Sequence, residues 1–181
     1  MLIGDRRSTA ALLVAGLATL ACEPTNQGFE PAQPIEYSHA IHAGSMKIPC
    51  MYCHYAAEDS RHAGIPPAQF CMNCHEQVKK DSPEIAKVSK AIETGAPIAW
   101  VRVHSVPDHV YFNHSVHVRS NVACQDCHGP IESMSRVRQW APLTMGWCIS
   151  CHRAKSPIPE GMPDDTVVRA SALTDCGVCH H

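Results

Sequence analysis

Five short clusters of cysteine and histidine carry most of the chemistry that this 181-residue sequence offers. Each cluster reads Cys-x-x-Cys-His, with two thiols three residues apart and an imidazole directly after the second thiol. The cysteines are Cys50, Cys53, Cys71, Cys74, Cys124, Cys127, Cys148, Cys151, Cys176 and Cys179, and the histidines are His54, His75, His128, His152 and His180. Of the 11 cysteines only Cys22 lies outside the clusters, so the cysteine count closes.

Three kinds of chemistry use paired cysteines, and the adjacent histidine separates them. Zinc sites and disulfide frameworks do not require a histidine after every cysteine pair. Histidine makes up 13 of the 181 residues, so five such placements do not arise by chance. Covalent haem attachment needs all three residues, because the thiols bond the porphyrin and the imidazole binds the iron. The pattern predicts five haem c groups with the five motif histidines as proximal ligands.

A second axial ligand is needed at each iron, and the sequence has more candidates than haems. Eight histidines lie outside the motifs: His39, His42, His62, His104, His109, His114, His117 and His181. This surplus favours electron transfer over catalysis at an open iron. Methionine is an alternative ligand at one haem, with Met46, Met72, Met145 and Met162 as the candidates.

An internal repeat selects four of these histidines. Residues 37–42 read Tyr-Ser-His-Ala-Ile-His, and the pattern aromatic-x-His-x-x-His returns 75 residues later at 112–117. Two cysteine motifs follow each copy. Histidines at i and i+3 of a helix share a face but point about a turn apart, so one pair can serve two haems. The predicted distal ligands are therefore His39, His42, His114 and His117.

The fifth distal ligand rests on a weaker alignment. Moving the fifth motif back by 76 residues places its histidine on His104, which is the predicted ligand, and His109 is the main rival.

Composition predicts the fold class. Aromatic residues are only 6% of the chain, while Pro and Gly number 14 and 10. We expect mostly coil with short α-helices, little or no β-sheet, and haems as the packed interior. Ser82-Pro83, a spaced apolar set and Gly95 predict one helix of about three turns. The net charge of −2 gives no basis for nucleic-acid binding.

The N-terminus predicts export. Arg6 and Arg7 precede a short apolar run that ends at Cys22, which resembles a lipoprotein cleavage site. A lipid anchor at Cys22, a plainly cleaved signal peptide and an uncleaved anchor helix all remain open, and each predicts the periplasmic side of the bacterial cytoplasmic membrane. The predicted units are a leader at 1–21, a tether at 22–35, a first unit with two haems at 36–105 and a second with three at 106–181.

Specific strings carry a family resemblance. The His-x-x-His plus Cys-x-x-Cys-His units resemble the small class III multihaem cytochromes. The further strings lie at residues 63–67 (AGIPP), 71–75 (CMNCH), 107–114 (PDHVYFNH) and 143–148 (LTMGWC). Over roughly residues 35–155 the chain resembles the pentahaem cytochrome subunits of alternative complex III, a bacterial quinol-oxidising complex.

The resemblance implies an electron-relay subunit rather than an enzyme. Its partners would be a molybdopterin-like iron–sulfur subunit, membrane subunits, and a monohaem cytochrome or an oxidase. Two alternatives are a freestanding periplasmic electron shuttle and a membrane-anchored quinol dehydrogenase cytochrome. The ligand pairs that the resemblance implies are His39 with His54, His42 with His75, His114 with His128 and His117 with His152, and His104 with His180 completes the set.

Overall fold

The computed structural model describes residues 25–155 and 174–180. Within these ranges the chain forms short helices joined by coil and turns, with no β-strand. This confirms the predicted fold class of mostly coil with short α-helices. The leader, Cys22, Met162 and His181 lie outside the described residues, so the predictions made for them stay predictions.

The helices follow the motifs along the chain. In the described part the longest has 12 residues. The elements are a π-helical turn at Ala40–Ser45, α1 at Cys50–Cys53, a 3₁₀ turn at Tyr55–Ala57, α2 at Ala68–His75, α3 at Pro83–Thr94, α4 at His114–Arg119, α5 at Cys124–His128, a 3₁₀ turn at Ile131–Ser133, α6 at Met145–Lys155 and α7 at Cys176–Cys179.

Helix α3 confirms the one helix that was predicted outside the motifs. The Ser82 hydroxyl accepts a hydrogen bond from the backbone N–H of Glu84 at 3.3 Å, and proline occupies the first turn. Gly95 ends the helix in the left-handed conformation with φ 67°. Ile85 and Val88 are its buried residues, so this helix packs through one apolar face.

Three of the motif helices share a common start. Helices α1, α5 and α7 begin at the first cysteine of their motif, after a residue in extended conformation. In α7 the Asp175 carboxylate accepts a hydrogen bond from the Gly177 N–H at 2.8 Å and so caps the first turn. One helical turn then brings the two cysteines onto one side of the helix, which is the arrangement that attachment to a single group requires.

The two repeat units pack on each other reciprocally. The N–H of Ala40 in the first unit donates to the Met134 carbonyl at 2.9 Å in the second. The N–H of Ser115 in the second unit donates to the Ser60 carbonyl at 3.2 Å in the first. The donors lie 75 residues apart and the acceptors 74, so the two contacts are equivalent under the repeat. The units therefore meet as an internal pseudo-dimer with a self-complementary interface.

Few side chains are buried in the described part of the chain. The buried set comprises Ile35, Ala57, Ile85, Val88, Met134, Ala141 and the polar Gln139. Gln139 is 1% exposed and its backbone pairs with residues 28 and 29, where the N–H of Gly28 donates to its carbonyl at 2.7 Å. The segment predicted as a tether is therefore docked on the domain from residue 27 onward. No helix within residues 25–155 and 174–180 has the length and apolar character to cross a membrane.

Candidate haem-binding sites

Four motif histidines each face a histidine of a repeat across a gap of similar width. Three of the four ring pairs lie between 6.0 and 6.4 Å apart at their centroids with the motif histidine of their own unit, as does the fourth. The pairs are His39 with His54 at 6.4 Å, His42 with His75 at 6.1 Å, His114 with His128 at 6.4 Å and His117 with His152 at 6.0 Å. These are the four pairs that the resemblance implied.

The width of the gap suits a single metal ion between two imidazoles. A metal–nitrogen bond of about 2.0–2.1 Å, plus about 1.1 Å from the nitrogen to the ring centre, places two opposed ring centres roughly 6.3 Å apart. Direct stacking of two rings would bring them closer, as for Tyr37 and His42 at 4.3 Å. The imidazole pairs are thus spaced for an iron between them.

Backbone carbonyls orient most of these rings. The Nδ1–H donates to a carbonyl oxygen in His42 (Ser38, 2.8 Å), His54 (Gly64, 2.7 Å), His75 (Val78, 2.8 Å), His114 (Arg61, 2.9 Å) and His117 (Asn113, 2.8 Å). A carbonyl can only accept, so it fixes the proton on Nδ1 and leaves Nε2 as the free electron pair. This tautomer is the one that binds a metal through Nε2.

Burial keeps two of the ring histidines neutral. Burial first, and then the neighbouring His104, lowers the pKa of His128 to about 3. Burial and the neighbouring His54 lower the pKa of His39 to about 4. At neutral pH both imidazoles are uncharged, which is the form that coordinates a metal ion. The Nδ1 atom of His39 is buried and has no hydrogen-bond partner.

The fifth motif is placed differently from the prediction. The structure does not bring His104 to His180; His104 instead lies against His128, with ring centroids 4.3 Å apart. His109 lies beside His180 at 5.3 Å, and the His180 Nδ1–H donates to the His109 carbonyl at 3.1 Å. The N–H of Tyr111 donates to the Cys179 carbonyl at 2.8 Å and holds this segment on the motif. The single-histidine alignment that selected His104 carried no such backbone register.

The aromatic residue of each repeat contacts both of its histidines, which the sequence left open. Tyr37 meets His39 edge-on at 4.8 Å and stacks on His42 at 4.3 Å. Phe112 meets His114 edge-on at 4.8 Å and stacks on His117 at 4.5 Å. The same ring therefore fixes the relative orientation of two ligands, and the repeated aromatic position was the only sequence feature that pointed to it.

The motif thiols lie next to one another in a definite order. All ten are free cysteines. Burial and then the neighbouring Cys71 raise the pKa of Cys53, whereas burial and then Cys50 raise that of Cys124.

The second unit continues the series. Burial and then Cys151 raise the pKa of Cys127 to about 11, and burial followed by Cys179 raises that of Cys148. Taken with the first unit, these neighbours link the second motif to the first, the first to the third, the third to the fourth and the fourth to the fifth.

The remaining candidate ligands lie elsewhere. Met46 and Met145 are 58% and 67% exposed, and each described motif histidine is faced by a histidine ring. His62 is exposed, and its backbone N–H bonds the Ser60 hydroxyl at 3.2 Å. Among the described residues, the ligand candidates that the structure brings to the motifs are thus histidines.

The short helices, the five motifs and the paired imidazoles define a multihaem cytochrome c domain, an electron-transfer module rather than a catalytic one. Residues 110–181 match the family model of cytochrome c7 and related cytochrome c. The chain is also similar to a menaquinone reductase, multihaem cytochrome c subunit, of Nitratidesulfovibrio vulgaris, with 35% identity over 97 residues. The alignment covers 53% of this chain and 45% of the relative, so the chain spans less than half of that protein's length.

Proposed function

We propose that this chain is a pentahaem c-type cytochrome that relays electrons from a membrane quinol-oxidising iron–sulfur complex, similar to alternative complex III, to a downstream cytochrome or oxidase. The observation that carries the proposal is the facing of four motif histidines and four repeat histidines at 6.0–6.4 Å. Two imidazoles on one iron leave no position for a substrate, so such a site moves electrons and does not transform a molecule.

The donor set of this chain fits five haem c groups. Each group supplies one-electron chemistry at an iron whose potential depends on its axial ligands. The chain holds two thiols one helical turn apart, presents the Nε2 of a motif histidine, and fixes that ring through Nδ1. His109 is our proposed distal ligand at the fifth motif, because its ring lies beside His180 at 5.3 Å.

The order of the attachment sites supports a single path through the molecule. The neighbouring thiols place the sites in the spatial order second, first, third, fourth and fifth. The junction between the two repeat units falls between Cys50 and Cys124. An electron that enters at the motif of Cys71 would leave at the motif of Cys176, so donor and acceptor would dock at opposite ends of the path.

A quinone-linked membrane complex is the proposed setting. The support is the similarity to a subunit of a menaquinone reductase, together with the predicted export leader. We place the chain on the periplasmic side of the cytoplasmic membrane, held by a lipid on Cys22 or by a helix in the leader. The proposed partners are an iron–sulfur subunit, membrane subunits and a monohaem cytochrome or oxidase.

Isolation of the native assembly tests this function. The full-length chain, tagged at its C-terminus, would be purified from detergent-solubilised membranes, with a tagged His62→Ala chain as the matched control. We expect five haems per chain by pyridine haemochrome, and co-purification with an iron–sulfur subunit and polytopic membrane proteins. Recovery of a red protein alone in the soluble fraction would contradict the complex and leave the shuttle function.

The name of the relative favours a second candidate, in which electrons run toward the quinone. The isolated assembly distinguishes the two directions. Rapid haem reduction on addition of menaquinol supports quinol oxidation. Haem reduction only by a reduced periplasmic cytochrome, followed by quinone reduction, supports the opposite direction.

A further inference from the structure

The two repeats hold equivalent motif histidines by different means. In the first unit the His54 Nδ1–H donates to the Gly64 carbonyl at 2.7 Å. The residue 74 positions after Gly64 is Arg138, and nothing equivalent is used in the second unit. There the Nδ1 of His128 lies 3.2 Å from the Nε2 of His104. A side chain thus stands where the first unit uses the backbone.

His128 meets two imidazoles on two different sides. His114 faces it nearly parallel, with an interplanar angle of 12° and 6.4 Å between centroids. His104 meets it edge-on at 77° and 4.3 Å, on the Nδ1 side. A centroid distance of 4.3 Å leaves no room for a metal between two imidazoles, which need roughly 6.3 Å. His104 therefore contacts the nitrogen that does not bind iron.

The backbone around His104 is fixed by the most buried side chain in the described part of the protein. Gln139, 1% exposed, accepts a hydrogen bond from the Ser105 N–H at 3.1 Å. The same amide donates from Nε2 to the Ala141 carbonyl at 3.2 Å, so both ends of the side chain are engaged. Arg102 donates from Nε to the His104 carbonyl at 3.2 Å. This anchoring holds the imidazole against His128 from both sides of the chain.

We propose that His104 is a positioning residue for His128: it accepts the Nδ1–H hydrogen bond through Nε2, orients the ring toward His114, and sets the potential of the third haem. The inference rests on the proposed function, since it assumes that His128 binds an iron. A hydrogen bond from Nδ1–H makes the other ring nitrogen a stronger donor to the metal. A stronger donor stabilises the ferric form more than the ferrous form and so lowers the midpoint potential.

Three substitutions in the full-length holoprotein separate this role from a structural one. His104→Leu removes the acceptor, His104→Gln keeps a neutral acceptor, and His104→Glu supplies a stronger one. His62→Leu is the matched control, because His62 is an exposed histidine with no assigned role. The readouts are haems per chain, the low-spin spectrum and a spectroscopic redox titration that resolves the components.

The expected result is a shift of one component in opposite directions. The potential of that component rises in His104→Leu by about tenfold in the ferric-to-ferrous equilibrium, or 59 mV for a one-electron couple. It stays near the wild-type value in His104→Gln and falls in His104→Glu, with five low-spin haems throughout. The His62→Leu control leaves every component unchanged.

Other outcomes overturn the inference or the function separately. A new high-spin haem in His104→Gln would make His104 an axial ligand and overturn the inference. Unchanged potentials in all three variants, with five haems present, would also overturn it. If His104→Leu does not assemble, the Gln and Glu variants decide by the same criteria. A wild-type protein without haem at the third motif would contradict the proposed function itself.

Discussion

The two segments that present the repeat histidines have the same spacing in sequence and different helical form. The first unit uses a π-helical turn at Ala40–Ser45, and the second uses the α-helix His114–Arg119. The imidazole gaps they produce are nevertheless alike, at 6.4 and 6.1 Å in the first unit and 6.4 and 6.0 Å in the second. Ligand placement is therefore conserved between the units while the supporting backbone is not.

The difference comes from one extra residue in the first unit. His39 precedes its cysteine motif at Cys50 by 11 residues, and His114 precedes Cys124 by 10. The N–H of Met46 donates to the Ile41 carbonyl five residues back, which is the bond of a π turn. In the second unit the equivalent bond, from Ser120 to Val116, spans four residues. The wider turn absorbs the insertion before it reaches the cysteines.

The chain re-enters register directly after this turn. Lys47 and Asn121, three residues before their motifs, share the same left-handed φ of 57°. Asparagine tolerates that conformation better than lysine does. What this teaches is that the ligand pair and the attachment turn are the fixed points of a unit, and the helix between them adjusts its winding to join them.

Loss of a repeat histidine should give the largest effect and should be equal in the two units. His39→Ala and His114→Ala each remove one distal ligand, so one of five haems should become high-spin in either variant. Electron paramagnetic resonance and the visible spectrum of the oxidised holoprotein measure this, with His62→Ala as the control. A loss at one unit only, or no loss at either, would break the equivalence of the two segments.

Equivalent glycine and arginine positions should respond very unequally. A methyl group on Gly44 would overlap the Glu132 carbonyl across the unit interface, so Gly44→Ala should cost about 1–3 kcal/mol of unfolding free energy. The equivalent position in α4 is Arg119, whose exposed ion pair with Asp59 at 2.7 Å contributes about 0.2–1 kcal/mol. Urea unfolding of the two holoprotein variants, followed by circular dichroism, provides the comparison. Equal costs would show that the π turn is no more tightly packed than α4.

The N-terminal caps should differ by the least. The Asn113 carboxamide accepts hydrogen bonds from both the N–H and the hydroxyl of Ser115, at 3.0 and 2.9 Å. The equivalent Ser38 hydroxyl accepts one bond, from the Ile41 N–H at 3.3 Å. Asn113→Ala should therefore cost about 1 kcal/mol and Ser38→Ala roughly half as much. The urea midpoints report both, and a larger cost at Ser38 would reverse the ranking.

Much of the fold class and of the candidate site could be predicted because both depend on local patterns. The motif cysteines fix where helical turns begin, and the histidine spacing identified four facing pairs before any coordinates. Helix α3 could be predicted from its cap and its final glycine, since both act within a few residues.

The rest depends on contacts between distant parts of the chain. The placement of His104 against His128 is held by Gln139, which lies 35 residues further along the chain, and no spacing rule connects them. The reciprocal bonds from Ala40 and Ser115 likewise depend on how the two units meet. The π turn follows from a one-residue difference between repeats that is visible in the sequence, but only the backbone shows where the chain absorbs it.

The docking of the N-terminal segment has a consequence for how the protein would sit on a membrane. Gln27 donates from Nε2 to the Trp140 carbonyl at 2.8 Å, and the backbone pairing at Gly28 and Gln139 follows at once. An anchor at Cys22 would leave five residues of free chain, which reach at most about 18 Å when fully extended. The domain would then ride close to the lipid headgroups with one face turned toward them, so its partners in the bilayer would meet the same surface of every molecule.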